Sequence, residues 1–360
     1  MAQPDRIRLV VLFGGRSAEH EVSCTTAAHV LRAVDPDRYA VVPIGITREG
    51  IWVRADGAHD LLASGTMGEL PDRLDPTGPS IDPLPVLRTD DELPVVVFPL
   101  LHGPYGEDGT VQGLLEVAGV PYVGSGVLGS ALGMDKAKSK EVLGAHGLPV
   151  LPWLVLRDTD AATAATAVEG AGLSYPVFVK PANMGSSVGV SKVADADALP
   201  DAVAHAARYD EWIIIEQGAV GAREIEIAVL GNATPRASVP GEIRPSHEFY
   251  DYDDKYVAGT SELLVPAPLD ESEADEARAL ALAAYRALRC EGMARVDLFY
   301  VEDGPGFLVN EVNTIPGFTP ISMYPKLWEA SGVPYPALID ELVRLAIERH
   351  ERRSRFSTKH

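Results

Sequence analysis

The sequence predicts an α/β fold that begins with a doubly wound, Rossmann-like domain. Two observations indicate this fold. First, an apolar run at 7–13 ends in Gly14-Gly15, and apolar residues with helical spacing follow it between 22 and 31. Second, short apolar strands and helical stretches alternate along the 360 residues, up to a hairpin at 294–312. In such a domain, ligands bind where the first strand ends and the next helix begins.

The composition is that of an ordinary globular protein with a large negative charge. Apolar residues make up 46% and charged residues 23% of the chain, and the net charge is −21. This charge opposes non-specific binding to nucleic acid or to an anionic membrane, but a polyphosphate could bind where lysines and arginines gather locally. Two cysteines are too few for a disulfide framework or a thiolate metal site. With no signal-like or membrane-spanning segment in view, we expect a soluble, cytoplasmic protein.

Glu19 lies in the glycine-rich turn that follows the first strand. A carboxylate is favoured at this place by the helix dipole alone, but it could also bind the ammonium of a small zwitterion. The turn lacks the G-x-G-x-x-G spacing, so a dinucleotide site is not supported. Further strands are predicted at 39–46 and 95–101.

His102 stands at the end of the predicted strand 95–101, before the glycine-rich turn 102–109 and a helical stretch at 112–118. It is either an ordinary loop histidine or part of a site, because functional residues concentrate on loops held by a rigid scaffold.

A second domain is predicted after the helical stretch 125–150, where prolines interrupt the pattern. An alanine-rich helix at 161–172 precedes a strand at 176–180, a glycine- and serine-rich loop at 183–189 and a returning strand at 190–193. Backbone N–H groups and hydroxyls of such a loop can bind phosphates, and the alternative explanation of the bare pattern is a flexible hairpin loop. The P-loop spacing is absent.

The third region begins with strands at 212–216 and 224–230 and continues into an aperiodic, aromatic stretch at 241–260. Long irregular loops in compact domains are usually functional or disordered, and we expect this one to be a lid that orders over a ligand. Helices are predicted at 271–289 and 334–350, and the remainder to 360 is expected to be a frayed polar tail.

The closing hairpin predicts a metal site. If Val301 pairs with Phe307, then Asp297 lies opposite Glu311 and Arg295 lies opposite Asn313. Two opposed carboxylates destabilise a sheet unless a positive charge lies between them. Oxygen ligands without histidine or cysteine suit Mg²⁺. The alternative is a polar outer face of an ordinary hairpin.

The same register assigns the apolar side chains of the hairpin to its opposite face. The residues assigned to that face are Val296, Leu298, Leu308 and Val312.

Six motifs in order make the chain resemble the D-alanine–D-alanine ligase family of ATP-grasp enzymes, from Gly14 through Met323. They are GGRSAEHEVS at 14–23, HGPYGEDG at 102–109, GSGVLGSALGMDKAKSK at 124–140, VKPANMGSSVGVSK at 179–192, FYDYDDKY at 249–256, and ARVDLF with NEVNTIPGFTPISM within 294–323. The resemblance implies an ATP-grasp fold and a homodimer. It also implies four segments: an N-terminal substrate-binding domain at 1–134, a central subdomain at 135–223, a C-terminal subdomain at 224–350 and a tail at 351–360.

The resemblance implies a role for each matching residue. Residues expected to bind ATP are Lys136, Lys180, Gly185, Ser186, Ser187, Val188, Glu216, Gln217, Ala219, Glu224, Lys255, Asn310 and Glu311. One or two Mg²⁺ or Mn²⁺ ions are expected on Asp297, Glu311 and Asn313. The residues expected to act in catalysis are Glu19, Ser186, Tyr256 and Arg295, and those expected to contact the amino acids are Glu19, His102, Arg295, Gly317, Ser322 and Met323. The chain departs from the family at Gln217-Gly218-Ala219, where a lysine–aromatic pair is common, so adenine contacts there are expected from the backbone.

The implied reaction joins two D-alanines for peptidoglycan through an acyl phosphate, with ATP as the phosphoryl donor. Tyr256 matches a tyrosine that accompanies peptide rather than ester formation in the family. The alternatives are a D-alanine–D-lactate ligase, another ATP-grasp carboxylate–amine ligase, and an ATP-binding regulatory module without activity. Such a module is expected to have lost Arg295 or the metal ligands, and all of them are present.

Overall fold

The computed structural model describes residues 6–65, 69–87, 93–244 and 262–357. Lys255, Tyr256 and most of the predicted lid at 241–260 lie outside these ranges. Residues 241–244, by contrast, form a strand, so the prediction of an irregular stretch is wrong for its first four residues. Among the helices of the described ranges, none combines the length and apolar composition needed to cross a bilayer.

The N-terminal region is doubly wound, as predicted. Its elements are β1 (Ile7–Gly14), α1 (His20–Ala33), β2 (Tyr39–Ile46), β3 (Trp52–Arg54), α2 (Asp56–Ala63), α3 (Pro83–Leu87), β4 (Val95–Pro99), α4 (Thr110–Ala118) and α5 (Val127–Met134). The strand order is β3-β2-β1-β4, with β2, β1 and β4 parallel and β3 antiparallel. Alternate residues of β1 pack on opposite sides, Leu9 with α1 and Val10 with α4, so helices cover both faces of the sheet.

The central region is a four-stranded antiparallel sheet. Its elements are α6 (Lys136–Ala145), β5 (Trp153–Arg157), α7 (Ala164–Gly170), β6 (Val177–Pro181), β7 (Ser191–Val193), α8 (Leu199–Ala206) and β8 (Trp212–Gln217). The order is β5-β8-β6-β7, so the glycine- and serine-rich loop connects two paired strands, β6 and β7. The predicted alanine-rich helix is shorter than expected, because residues 158–163 form a 3₁₀ turn.

The C-terminal region contains the largest sheet of the described residues. Its elements are β9 (Arg223–Gly231), β10 (Arg236–Ala237), β11 (Gly241–Arg244), β12 (Glu262–Leu264), α9 (Glu271–Ala287), β13 (Gly292–Val301), β14 (Gly306–Asn313), α10 (Met323–Ala330) and α11 (Tyr335–Arg353). The order is β12-β11-β9-β13-β14, with β10 paired to β9. Because α11 continues to Arg353, the expected tail is helical over its first three residues.

Helix α9 shows how local sequence signals define an element here. Asp270 accepts a hydrogen bond from the Glu273 N–H, and Glu273 accepts one from the Asp270 N–H, which forms a capping box at the first turn. Buried Ala277, Ala281 and Ala284 follow at spacings of four and three, and they pack on the C-terminal sheet. The helix ends at Ala287, so the predicted extent, 271–289, is two residues too long at its C-terminal end.

The β13–β14 hairpin has the predicted pairing at the site but not at its turn. Val301 pairs with Gly306 rather than with Phe307, so the predicted register is wrong by one residue there. A bulge between Asp297 and Leu298 takes up one extra residue, Asn310, and restores the predicted pairing of Asp297 with Glu311.

The bulge also changes which side chains face the core. Leu298 pairs with Val309, and both pack in the core beneath α9. Leu308 pairs with Phe299 and lies on the same face as Asp297, so its predicted position on the face of Val296 is wrong, although the side chain is buried.

Candidate active site

Glu19 is contacted from two other loops. The turn after β1 places it directly before α1, with its own N–H donated to Ser17 Oγ. Ser186 Oγ, on the loop after β6, donates to Glu19 Oε1 at 2.5 Å. A Cβ on Gly185 would lie 2.7 Å from Glu19 Oε2, and one on Gly103 would lie 3.2 Å from it. The predicted pair of Glu19 and Ser186 is therefore in contact, and neighbouring glycines allow the loops to approach.

His102 is buried at the end of β4 and its two ring nitrogens differ. Nδ1 lies 3.0 Å from the Ile315 carbonyl, which can only accept, so Nδ1 carries the proton. Burial lowers the pKa of His102, although Glu19 acts in the opposite direction. The neutral ring then presents an acceptor at Nε2, which has no hydrogen-bond partner among the described residues.

Glu107, which was not among the predicted site residues, lies in the same turn. The Gly103 N–H donates to its Oε2 at 2.8 Å. Removal from water and then the charge of Glu19 raise the pKa of Glu107 to about 8, while backbone bonds from Gly103 and Ile315 oppose the shift. Of the HGPYGEDG motif, only the histidine was predicted to belong to a site.

We expect Glu107→Gln to change how stability depends on pH. The pKa of Glu107 is about 8 in the folded protein, so its carboxyl keeps its proton up to about that pH, whereas the unfolded chain loses the proton above the ordinary pKa of 4.5. Unfolding therefore releases a proton in this window, and stability contributed by the protonated carboxyl falls as pH rises through it. Between about pH 5 and 8, Tm of the wild type should decline more than Tm of the variant. The control is Glu169→Gln, since Glu169 is exposed on α7, and its Tm should depend on pH as that of the wild type does. If the Glu107 carboxyl were ionised throughout this range, Tm of Glu107→Gln would also depend on pH as that of the wild type does.

Three lysines of the central region lie beside the carboxylates of Glu216 and Glu311. Lys136 Nζ donates to the Met184 carbonyl at 2.7 Å and lies 3.5 Å from Glu311 Oε2. Lys180 donates to Glu216 Oε2, and Lys140 Nζ lies 2.8 Å from Glu216 Oε1. Lys136 and Lys180, the two lysines predicted to bind phosphates, thus each lie beside a carboxylate, and Lys140, which was not among the predicted residues, joins Lys180 at Glu216.

The loop after β6 contains two consecutive residues with an unusual backbone conformation. Ser186 and Ser187 have φ values of 49° and 58°, in the left-handed region that non-glycine residues seldom adopt. Strained backbone of this kind occurs often in ligand-binding segments.

Gln217 and Ala219 lie at the end of β8, where the Gln217 Oε1 accepts a hydrogen bond from the Ser174 N–H at 3.1 Å. Glu224 lies on the adjoining β9.

A row of carboxylates crosses the C-terminal sheet. Glu226 on β9 and Glu311 on β14 are both direct neighbours of Asp297 on β13. Arg295 donates to Asp297 from Nε at 2.7 Å and from Nη2 at 2.8 Å, and its Nε lies 3.1 Å from Glu226 Oε2. Asn313 Nδ2 also donates to Asp297, at 2.9 Å. Glu226 was missed, although the alternating EIEI pattern places it on the face of Glu224.

The predicted metal ligands have suitable donors. Asp297, Glu311 and Asn313 offer only oxygen ligands on one face of adjacent strands, which suits a hard divalent cation. Within the described ranges, no group of three His, Cys, Asp or Glu side chains is arranged to hold a metal, so an amide oxygen or a substrate oxygen must complete the set. Asp297 is engaged by Arg295 and Asn313, and these bonds must rearrange if it binds a cation.

The segment after β14 contains Gly317, Ser322 and Met323, the remaining residues predicted to contact the amino acids. Ser322, directly before α10, has its Oγ 3.1 Å from the Thr319 N–H and 2.8 Å from Thr319 Oγ1. A Cβ on Gly317 would lie 3.2 Å from Ser322 Oγ, so these two residues are adjacent. Met323 is the first residue of α10, and Asn310 lies at the bulge of β14. His102 joins this segment to the N-terminal region through Ile315.

A cavity of about 660 Å³ opens at Ser17 and Ala18, in the turn after β1. Arg16, Arg48 and Arg208 line it, together with residues from the turn after β1 and from the loop after β6. Arg48 is paired with Glu21 at 2.7 Å. Three arginines at one opening of a chain with a net charge of −21 favour the approach of an anionic substrate.

Comparison with known proteins shows the family to which the chain is similar. The family description "D-ala D-ala ligase N-terminus" matches residues 8–125, and "D-ala D-ala ligase C-terminus" matches residues 142–344. A D-alanine--D-alanine ligase of Rhodococcus opacus (strain B4) is 49% identical over 97% of this chain and 99% of that protein.

Solved structures give the same result. The D-alanine-D-alanine ligase of Coxiella burnetii superposes with a TM-score of 0.79 and 35% identity, over 98% of this chain and 97% of that one. The VanG D-Ala:D-Ser ligase of Enterococcus faecalis gives 0.80 and 35%, over 95% and 99%. The ATP-grasp fold expected from the motifs is thereby confirmed, and the chain belongs to the D-alanine–D-alanine ligase family.

Proposed function

We propose that this protein joins two molecules of D-alanine to D-alanyl-D-alanine and converts ATP to ADP and phosphate. The observation that carries the proposal is the position of Lys136. Its ammonium lies 2.7 Å from the Met184 carbonyl of the loop after β6 and 3.5 Å from Glu311 on the metal hairpin. A cation at this point lies between the predicted phosphate loop and the predicted metal ligands, where it can stabilise the phosphates of a bound nucleotide during phosphoryl transfer.

The nucleotide is bound between the central and C-terminal sheets. Lys136 and Lys180 bind its phosphates, and residues 185–188 wrap them with backbone N–H groups. The end of β8, at Glu216, Gln217 and Ala219, contacts the adenine, and Glu224 accepts hydrogen bonds from the ribose hydroxyls. Lys255 is expected to reach the γ-phosphate and Asn310 to lie beside it. Negative phosphates relieve the excess positive charge of these lysines, so binding is electrostatically favourable.

Asp297, Glu311 and Asn313 would hold one or two Mg²⁺ or Mn²⁺ ions. When bound, these ions neutralise charge on the β- and γ-phosphates. Arg295 lies beside the same carboxylates and donates to charge that develops on the transferred phosphoryl group.

The reaction has two steps. The carboxylate of the first D-alanine attacks the γ-phosphorus, and ADP leaves with an acyl phosphate formed. The deprotonated amine of the second D-alanine attacks the acyl carbon, the C–O bond to phosphate breaks, and inorganic phosphate leaves. An acyl phosphate hydrolyses in water, so the site must close, and the contact between Glu19 and Ser186 supports closure at one side. Tyr256 is expected to complete that seal.

The amino acids lie between His102 and the segment 315–323. Glu19 attracts the ammonium of the first D-alanine, and neutral His102 accepts a hydrogen bond at Nε2. Gly317, Ser322 and Met323 receive the carboxylate of the second D-alanine, with Arg295 near the acyl oxygen. We further propose that the enzyme is a homodimer in a bacterial cytoplasm and supplies the dipeptide for peptidoglycan.

Phosphate release from ATP tests the proposal, with D-alanine, L-alanine, D-serine and D-lactate offered in turn and then each with D-alanine. We expect D-alanine alone to support release, with one dipeptide found by chromatography for each phosphate. L-Alanine should support none. Preferential mixed products with D-lactate or D-serine would assign a different ligase specificity, and no release with any substrate would indicate an inactive nucleotide-binding protein.

A further inference from the structure

Lys140, Glu216 and Lys180 form a buried cluster with two positive charges and one negative charge. Lys140 Nζ lies 2.8 Å from Glu216 Oε1, and Lys180 donates to Glu216 Oε2. The side chains of Lys140 and Glu216 are 1% and 2% exposed, and that of Lys180 is 14% exposed. The cluster is therefore nearly dry and holds one ammonium more than neutrality requires.

Burial of the second ammonium needs a physical explanation, because removing an ion from water costs several kcal/mol even after the protein relaxes around it. Glu216 and Lys180 alone would already form a neutral pair with a charge-assisted hydrogen bond. Burial raises the pKa of Glu216, but Lys140 and then Lys180 lower it to about 2, so its carboxylate stays charged. An extra cation becomes useful when one of the two lysines turns to another anion, since the buried carboxylate then keeps a partner.

The positions of the two lysines indicate which one turns. Lys140 extends from α6 and is enclosed, one helical turn after Lys136. Lys180 lies on β6, three residues before the loop that starts at Asn183, and it is the more exposed of the two. Lys180 is therefore the better placed of the two to turn toward an anion at the loop after β6, whereas Lys140 is enclosed by the protein.

We propose that Lys140 is a positioning residue that serves as the permanent partner of Glu216 and thereby frees Lys180 to bind nucleotide phosphates. The inference rests on the proposed function and assigns a role to a residue that contacts no substrate. Without Lys140, Lys180 becomes the only cation beside a buried carboxylate, and moving it to a phosphate would leave that charge unpaired. Nucleotide affinity then falls because Lys140 and Lys180 share one partner, and residues that share an ion-pair network typically influence each other by about 2- to 150-fold.

Calorimetric titration with ADP tests this role without turnover. We expect Lys140→Met to raise Kd for ADP by roughly tenfold or more, and to raise KM for ATP while KM for D-alanine stays unchanged. The matched control is Lys138→Met on the same helix, whose lysine is 60% exposed and paired with Glu141. It should bind ADP like the wild type.

The double variant separates positioning from a structural role. In Glu216→Gln the carboxylate charge is gone, so adding Lys140→Met should cause no further loss of ADP affinity. If Lys140→Met does not fold, judged from its thermal unfolding, Lys140→Gln replaces it, because glutamine keeps a donor to Glu216 but removes the charge. It should show the same loss.

Two results would overturn the inference. One is an unchanged Kd in the folded Lys140 variant, and the other is an equal loss with and without Glu216. Failure of the wild type to bind ADP would instead contradict the proposed function, and the inference with it.

Discussion

We expect Glu311→Gln to stop turnover while the protein stays folded. The substitution keeps the shape of the side chain but removes the charge that faces Lys136 at 3.5 Å and lies directly opposite Asp297. A bound divalent ion supplies several kcal/mol of charge stabilisation in the transition state, and a loss of about 4 kcal/mol lowers the rate by roughly 10³-fold. Folding tolerates the change, because Glu311 is only half-buried and one less carboxylate reduces repulsion on this face.

The measurement is the rate of ADP formation at saturating ATP, D-alanine and Mg²⁺, with Tm as the check on folding. Glu302→Gln is the matched control, because Glu302 lies in the exposed turn of the same hairpin and makes the same change of charge. We expect it to turn over normally. Normal turnover by Glu311→Gln would show that this carboxylate does not bind the metal.

The hairpin shows what alternation in a sequence can and cannot predict. Its two-residue period correctly placed Asp297 and Glu311 opposite each other. It could not predict the bulge at Asn310, because an extra residue leaves the apolar and polar pattern of each flank intact. The register is shifted by one residue at the turn, and the bulge shifts it back by one residue, so the pairing at the site is as predicted. Between the turn and the bulge the shift remains, and Leu308 therefore lies on the other face.

Contacts between distant segments were beyond local pattern. Glu19 and Ser186 are 167 positions apart, and only the family resemblance paired them before the structure did. Lys140 and Glu226 were missed because a lysine in a helix and a glutamate in a strand look like solvated residues until their burial is known. Short strands such as β10, with two residues, and helix α10, which contains Pro325, carry too little period to be recognised.

Arg295→Lys is expected to lower turnover strongly while the protein stays folded. Arg295 uses two nitrogens on Asp297 and shares one of them with Glu226, and this fork cannot be reproduced by a single ammonium. Loss of one oriented donor at developing negative charge typically costs about 10²- to 10³-fold in kcat. A lysine still neutralises the two carboxylates, so its effect on stability should be small.

Arg295→Met separates the two roles of this side chain. Its carboxylate partners, Glu226 and Asp297, are 7% and 14% exposed, so removing the cation leaves charges that water hardly reaches. Breaking a buried ion pair in this way costs about 3–5 kcal/mol, which denaturant unfolding can measure. The control is Arg278→Lys, since Arg278 pairs with Asp275 at the surface and should affect neither property. If Arg295→Lys retained full kcat, the guanidinium would serve only to hold the sheet face together, and catalysis would have to draw its donor from elsewhere.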